Sequence, residues 1–488
     1  MKQKIGIIVG ILVIIGISAI TFGVMTAKKD EPTKTDQNQN PPVLLEGMKA
    51  ITFEEGNETP KVLGQEEQKE GTWYEYIRQT EATEAGGTSR WANAMTQDGS
   101  MWVWIPRFAY KIQWDREEQT GKIEVVFLQG TTNYNKEGKD VTKLGYIVHP
   151  AFQDGTENQF ANGEWDKEIT GIWVSKFEAG FAGQKNTASE NIPVVDTNLT
   201  YERDGKNVFG KIQKEDTKIT YPVFLGKNYS YNNISVGEIY NLAKALPQEG
   251  NPYGLNRAAD SHLMKNSEWG AVVYLAHSQY GRNGTKVSIN NLEVSKAVAG
   301  AETVTGYAGN TVIATTNHVE EIKQTLQDNY SDKSYAWYTK EGQLASTTGN
   351  LYGIYDMNGG SSEYTAGYLE KTDEKAKNYA SSILKKPGSN KYCTVYKASS
   401  EDAGALNQNY DANQNRYGDA IAETSKKGNG YTSWFGETSI YIRDSAGFFL
   451  RSGDYSRGKY TGLFDFTNHS GHSFGSYSFR CVLIANQG

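Results

Sequence analysis

A domain of short strands and a few helices, set among long polar loops and preceded by one membrane-spanning helix, is what this sequence predicts. Three observations lead there: an uncharged apolar run at the N-terminus, alternating apolar segments in the first half, and two segments with helical spacing and caps. Residues 5–25 carry no charge and are almost wholly aliphatic, long enough to cross a hydrocarbon layer of about 30 Å as a helix. The run exceeds the ~7–15 apolar residues of a cleaved signal peptide, so residues 1–27 read as a retained anchor. Lys2 and Lys4 nearly balance Lys28 and Lys29, and the positive-inside rule alone does not orient the segment. The short N-terminal tail favours N-inside, which places the bulk of the chain outside the cytoplasm, at the cell surface. Residues 28–43 are polar and contain proline, as a flexible stalk does.

The folded part begins near Leu44. In residues 101–112 Met101, Val103 and Ile105 alternate with Trp102 and Trp104, the period of a strand buried on both faces. Residues 122–128 and 171–177 read as two more strands. Ser235 followed by Glu238 is a capping box, and Ile239, Leu242, Ala243 and Leu246 repeat at helical spacing. A second helix is capped by Asn266 or Ser267, buries Trp269, Val272, Val273 and Ala276, and stops at Gly281. Between these lie long stretches, residues 183–218 and 370–427, rich in Asn, Ser, Lys, Gly and Tyr.

The chain has 488 residues and a net charge of −7 with its Lys and Arg scattered. No basic stripe exists to neutralise phosphates, so nucleic acid is not an expected partner. The two cysteines, Cys393 and Cys481, are either bridged, a link worth about 4–5 kcal/mol in the chain-entropy model, or two buried thiols. Near the C-terminus, Ser, Gly, Tyr, His, Asp, Asn and Arg fill the segment between two apolar runs, a composition suited to presenting contacts. His469 and His472 lack a third metal ligand in the sequence, and no catalytic serine elbow or phosphate-cradling glycine loop is present.

The order of several pieces resembles a known family. Residues 102–112, the Glu268-Trp269 helix, the stretch NLYGIYDMNGGSSEYT at 350–365, and the endings at 450–455 and 478–482 are similar to the formylglycine-generating (sulfatase-modifying factor) family. The resemblance spans residues 98–488 and leaves 44–97 as an N-terminal extension. It implies an α+β, C-type-lectin-like domain with long loop insertions. In the oxidase members two cysteines bind copper; Arg457 and Gly462 stand at those places here, so copper is not expected and the oxidase activity is not carried over. The resemblance also implies a structural calcium held by Asp356, the carbonyls of Gly359 and Ser361, and Glu363, an oxygen set suited to a hard cation. The chain is closer in character to the non-catalytic variable proteins of diversity-generating retroelements, bacterial or phage, in which a patch before the last strand is varied. Residues 452–478 occupy that place.

The expected function is therefore ligand binding of an adhesin or receptor type, with no enzyme activity. The expected contacts are Asp454, Tyr455, Ser456, Arg457, Lys459, Tyr460, Asn468, His469, His472, Ser473 and Tyr477, and the ligand an extracellular protein or glycan. A subunit of a surface fibre or pseudopilus is the alternative, and a sulfatase-modifying oxidase using other residues the second.

Overall fold

The computed structural model describes residues 40–79, 87–115, 117–155, 163–181, 221–292, 303–309, 334–373, 378–380 and 391–485, with short backbone-only strands between 184 and 208. One compact unit runs from Thr35 to Gly488; the other, Met1–Lys34, lies outside the described residues.

In chain order the elements used below are β1 (Lys49–Thr52), β2 (Lys61–Val62), β3 (Asn93–Met95), β4 (Met101–Pro106), β5 (Phe108–Asp115), β6 (Thr120–Phe127), β7 (Ile147–Val148) and β8 (Gly171–Ser175). There follow α1 (Val236–Lys244), β9 (Asp260–Leu263), α2 (Asn266–His277), β10 (Ser362–Leu369), β11 (Thr394–Tyr396) and α3 (Leu406–Asp411). The chain closes with β12 (Phe448–Ser452), β13 (Gly462–His469), β14 (Tyr477–Phe479) and β15 (Cys481–Ile484).

Two sheets organise the unit. The first is antiparallel, in the order β9-β15-β8-β4-β3-β1-β2. Every residue of β4 is buried, as its two-faced alternation requires, and Trp104 stands opposite Trp173 on β8 with ring centroids 5.3 Å apart. Each indole still needs an acceptor for its N–H. Trp104 Nε1 donates to the Asn40 carbonyl at 3.2 Å, Trp173 Nε1 to that of Val43 at 2.7 Å, and Trp73 Nε1 to that of Asn93 at 2.7 Å. The segment around residues 40–95 is in this way stitched into the same sheet as the C-terminal strand.

The second sheet has the order β11-β10-β12-β13, with β14 pairing β10 in parallel. The chain passes from this sheet to the first between β14 and β15, and Arg480 sits at the crossing. Its guanidinium meets both carboxylate oxygens of Glu363 on β10 at 2.7 and 2.5 Å, and donates to the carbonyls of Ser175 at the end of β8 and Tyr355, each at 3.0 Å. One buried cation thus binds both sheets and the loop before β10.

The helices sit where their sequence signals place them. Ser235 caps α1, with its N–H and Oγ both donating to Glu238 Oε2 at 3.0 and 2.8 Å. Lys265 rather than Asn266 or Ser267 is the cap of α2, its N–H donating to Glu268 Oε2 at 2.8 Å. All twelve residues of α2 are buried, the state of a helix enclosed on every side, and Trp269 Nε1 donates to the Leu463 carbonyl on β13 at 2.9 Å.

Three expectations are corrected. The fold is mostly β-sheet with few helices, not an α+β domain: strands of two to four residues such as β2, β3 and β7 are too short to leave a readable period. Among the described residues no helix is long and apolar enough to cross a membrane; the anticipated anchor, residues 5–25, lies outside them, so the structure supplies no spanning helix and the single-pass membrane assignment is withdrawn. Cys393 and Cys481 are both buried and not joined in a disulfide: one precedes β11 in the second sheet while the other opens β15 in the first. Burial pushes the Cys393 thiol up to about 12 and raises that of Cys481 well above its ordinary range.

Candidate ligand-binding face

The hairpin β12–β13 divides the anticipated contact residues into two groups. Phe448 pairs with His469 at one end and Ser452 with Gly462 at the other. Four residue steps along β12 at ~3.3 Å separate those ends by about 13 Å, and the ladder shifts register between Arg451 and Ser452. Residues 461–467 between them are buried, so the structure does not bring the nominated residues into one cluster.

At the turn between β12 and β13, Asp454 is buried and shapes the loop. It accepts from the Ser456 N–H at 3.0 Å and pairs with Arg457 Nε at 3.3 Å. Tyr455 N–H donates to the Gly360 carbonyl at 2.9 Å. Tyr460 stacks on the exposed Tyr431 at 4.0 Å and 27°, with Lys459 above its ring at 5.0 Å. Ser456 is exposed, whereas Asp454 is committed to the turn.

The second group is the more ring-rich. His469 lies 4.3 Å from His472 and 4.6 Å from Tyr477, centroid to centroid, and Phe474 lies 5.1 Å from Tyr477. Tyr364 on β10 supports them from below: its hydroxyl donates to the His472 carbonyl at 2.8 Å. The same oxygen is in hydrogen-bond contact with His469 Nδ1, which the Gly471 N–H also approaches at 3.4 Å. Burial, with His472 adding to it, lowers the His469 pKa to about 4, which keeps this ring uncharged near neutrality. Asn468 is turned inward, donating from Nδ2 to the Tyr441 carbonyl at 2.5 Å. His472, Ser473 and Tyr477 are half-buried, Phe474 is 51% exposed, and Tyr379, 5.8 Å from His472, is 43% exposed.

The backbone under these rings is held by the segment leading into α1. Val236 N–H donates to the Gly471 carbonyl at 3.0 Å, Asn233 N–H to that of Phe474 at 2.9 Å, and Asn232 Nδ2 to that of Gly475 at 2.6 Å. Gly471 has φ of 94° and its absent Cβ would lie 2.9 Å from Val236, so both conformation and space call for glycine. The result is a positioned loop presenting an aromatic and imidazole surface. Tyr364, Phe474 and Tyr379 were not nominated from sequence. Phe474 carried a signal, a large apolar residue alone among Ser and Gly; Tyr364 carried none, since it lies 105 residues from its partner His469.

The residues assigned to calcium are otherwise employed. Asp356 accepts from Asn290 Nδ2 at 2.9 Å and from the Gly306 N–H at 2.8 Å; the Ser361 carbonyl accepts from Ser452 Oγ at 3.1 Å; Glu363 is bidentate to Arg480. Gly359, at φ 79°, makes the turn between them. Among the described residues no group of three or more His, Cys, Asp or Glu side chains is arranged to hold a metal ion. A guanidinium supplies a positive charge at Glu363 in this arrangement. Glu178 completes the cluster, accepting from the Ser361 N–H at 3.0 Å; burial, then Asp356 and Glu363, raise its carboxyl well above the ordinary range.

No family model matches the chain, and no curated protein matches it. Among solved structures, that of PvdO from Pseudomonas aeruginosa is similar over 80% of this chain and 96% of that chain, at 10% identity and a TM-score of 0.29. A score that low carries no argument about fold or function.

Proposed function

We propose that this chain is a recognition protein that binds a protein or glycan ligand through the patch of His469, His472, Phe474 and Tyr477, supported from below by the buried Tyr364. The observation behind the proposal is the combination of a loop pinned from below with rings left open above. Rigid aromatic side chains supply contact area at small entropic cost, and neighbouring Ser and Gly adapt their hydrogen bonds. The sequence resemblance to non-catalytic relatives of the sulfatase-modifying factors agrees with recognition rather than turnover. Diversification of residues 452–478 belongs to the same proposal. Its targets would be the open positions Arg457, His472 and Ser473, while the buried Ser452, Asp454, Ser476 and Ser478 would tolerate less change.

The test is an array of secreted proteins and glycans probed with the wild type and with the double variant His472→Ala/Phe474→Ala. Ligands retained by the wild type should lose at least tenfold in affinity on the variant while its melting temperature stays put. Undiminished binding by a folded variant would refute the proposal.

A further inference from the structure

His262 on β9 is fully buried, and each of its ring nitrogens faces a carboxylate: Nδ1 meets Asp260 Oδ1 at 3.1 Å and Nε2 meets Glu268 Oε1 at 2.9 Å. Other donors surround both carboxylates. Asp260 accepts from the Tyr392 hydroxyl at 2.7 Å; Glu268 accepts from the Lys265 N–H at 2.8 Å and lies 3.4 Å from Lys265 Nζ. A carboxylate that accepts on every side is ionised, and a histidine that donates from both nitrogens is an imidazolium. The cluster then sets Asp260 and Glu268 against His262 and Lys265 and is neutral as a whole. Burial lowers the His262 pKa, but Glu268 and Asp260 outweigh it and leave it raised above 6.5. Burial likewise raises the two carboxyls, and His262 outweighs it at each and leaves both lowered.

The cluster joins separate parts of the chain. β9 pairs with β15 at one end of the first sheet, and Glu268 stands in the first turn of α2. Lys265 Nζ lies 3.6 Å above the Trp165 ring and donates to the carbonyls of Gly163 and Lys391. The rings of Trp165 and Tyr392 pack against His262 at 5.3 and 5.4 Å. Around them, Lys244 of α1 lies 4.3 Å over the Tyr392 ring, and Lys391 pairs with Asp166 at 2.7 Å. The residue after Tyr392 is the buried Cys393.

We propose that His262 is a pH-controlled clasp that holds residues 391–393 against β9 while protonated and releases them, with the Cys393 thiol, when its proton leaves. A neutral imidazole has one N–H, so deprotonation leaves one buried carboxylate without its donor and gives the cluster a net negative charge. Asp260 yields first, being 13% exposed where Glu268 is 0% exposed, and Tyr392 goes with the carboxylate it binds. A histidine whose pKa is raised on folding adds stability below its unfolded value, and that stability is lost as pH rises through the folded value. The clasp is therefore closed below pH 6.5 and opens on the alkaline side. Asp260 and Glu268, held below their ordinary 3.8 and 4.5, stay ionised throughout that range. This device is separate from the C-terminal patch and stands without it.

The test uses the full chain carrying Cys481→Ala, which leaves Cys393 as its one thiol. Ring-13C NMR should show the His262 imidazole titrating above 6.5. Alkylation of Cys393, divided by that of glutathione at the same pH, should rise roughly tenfold between pH 6 and pH 9 as the segment opens locally, with the midpoint of the ring titration. Asp260→Asn removes one of the two carboxylates and should move both midpoints down together. Should Cys481→Ala fail to fold, amide exchange at Tyr392 in the wild type, corrected for its intrinsic pH dependence, is read in place of alkylation. A His262 ring that titrates at or below 6.5, or a segment whose corrected reactivity stays flat while the ring titrates, would overturn the proposal.

Discussion

Residues 469–477 and residues 478–484 are neighbours in sequence and opposites in role. The first stretch ends in open rings over a pinned loop, with Phe474 at 51% exposure; in the second, Arg480 is 1% exposed and ties two sheets together. Both contain Ser, an aromatic residue and a basic or imidazole group. The difference lies in their partners, not in their composition. Glu363, 117 residues away, fixes Arg480, whereas the rings of the first stretch mostly touch one another. The proposed recognition surface and the structural joint are therefore separated only by β14 (Tyr477–Phe479), and perturbing each should give a different signature.

The largest effect is expected at the joint. Arg480→Ala leaves Glu363 buried without its cation and strips two carbonyls of their donor, which should cost about 3–5 kcal/mol in a urea titration. A loss below ~1 kcal/mol would show that the two sheets are held by other means.

Next comes a pH effect in the interior. Glu423 accepts from the Tyr274 hydroxyl at 2.8 Å and from the Tyr110 hydroxyl at 3.0 Å, and burial raises its carboxyl to about 7. Below the ordinary value of 4.5 both folded and unfolded chains hold this proton. Between there and about 7 only the folded chain keeps it, so stability falls as pH rises through that window. The contribution is on the order of 3 kcal/mol at 1.36 kcal/mol per unit. Melts of the wild type and Glu423→Gln at pH 5 and 7.5 should show a smaller pH dependence in the variant; equal slopes would remove Glu423 as the source.

A smaller effect belongs to the support of the patch. Tyr364→Phe removes the hydroxyl shared by His469 and the His472 carbonyl, with an expected cost of about 1 kcal/mol and weaker ligand retention. Unchanged retention would mean that the ring positions do not depend on that hydroxyl. The smallest change in stability is expected at Phe474→Ala, within about 0.5 kcal/mol for an exposed position, combined with a binding loss of 2 kcal/mol or more if the ring is a central anchor. A fold-destabilising Phe474→Ala would instead place the ring in the core.

Local signals in the sequence carried the local structure. The Ser235 and Glu238 pair announced α1, and the Trp102 and Trp104 alternation announced β4, though Pro106 and the buried Arg107 split the expected long strand into β4 and β5. What depends on distant partners was not legible. The Glu363–Arg480 pair, the support of His469 by Tyr364, and the division of the C-terminal segment by β13 all arise from pairing across tens to hundreds of residues. Two cysteines in a sequence raise the option of a bridge but say nothing of their separation in space. Composition nominated Asp454 and Asn468 as contacts because they are polar, yet both spend their polarity inside the protein.

The most direct test is a saturation scan of residues 468–477 read in parallel for protease resistance and for retention of a ligand found on the array. The account predicts that His472, Ser473 and Phe474 tolerate substitution for folding and not for binding, while Gly471 fails in both. Binding that survives every substitution at His472, Ser473 and Phe474, or that falls only where folding falls, would contradict the assignment of this patch as the recognition surface.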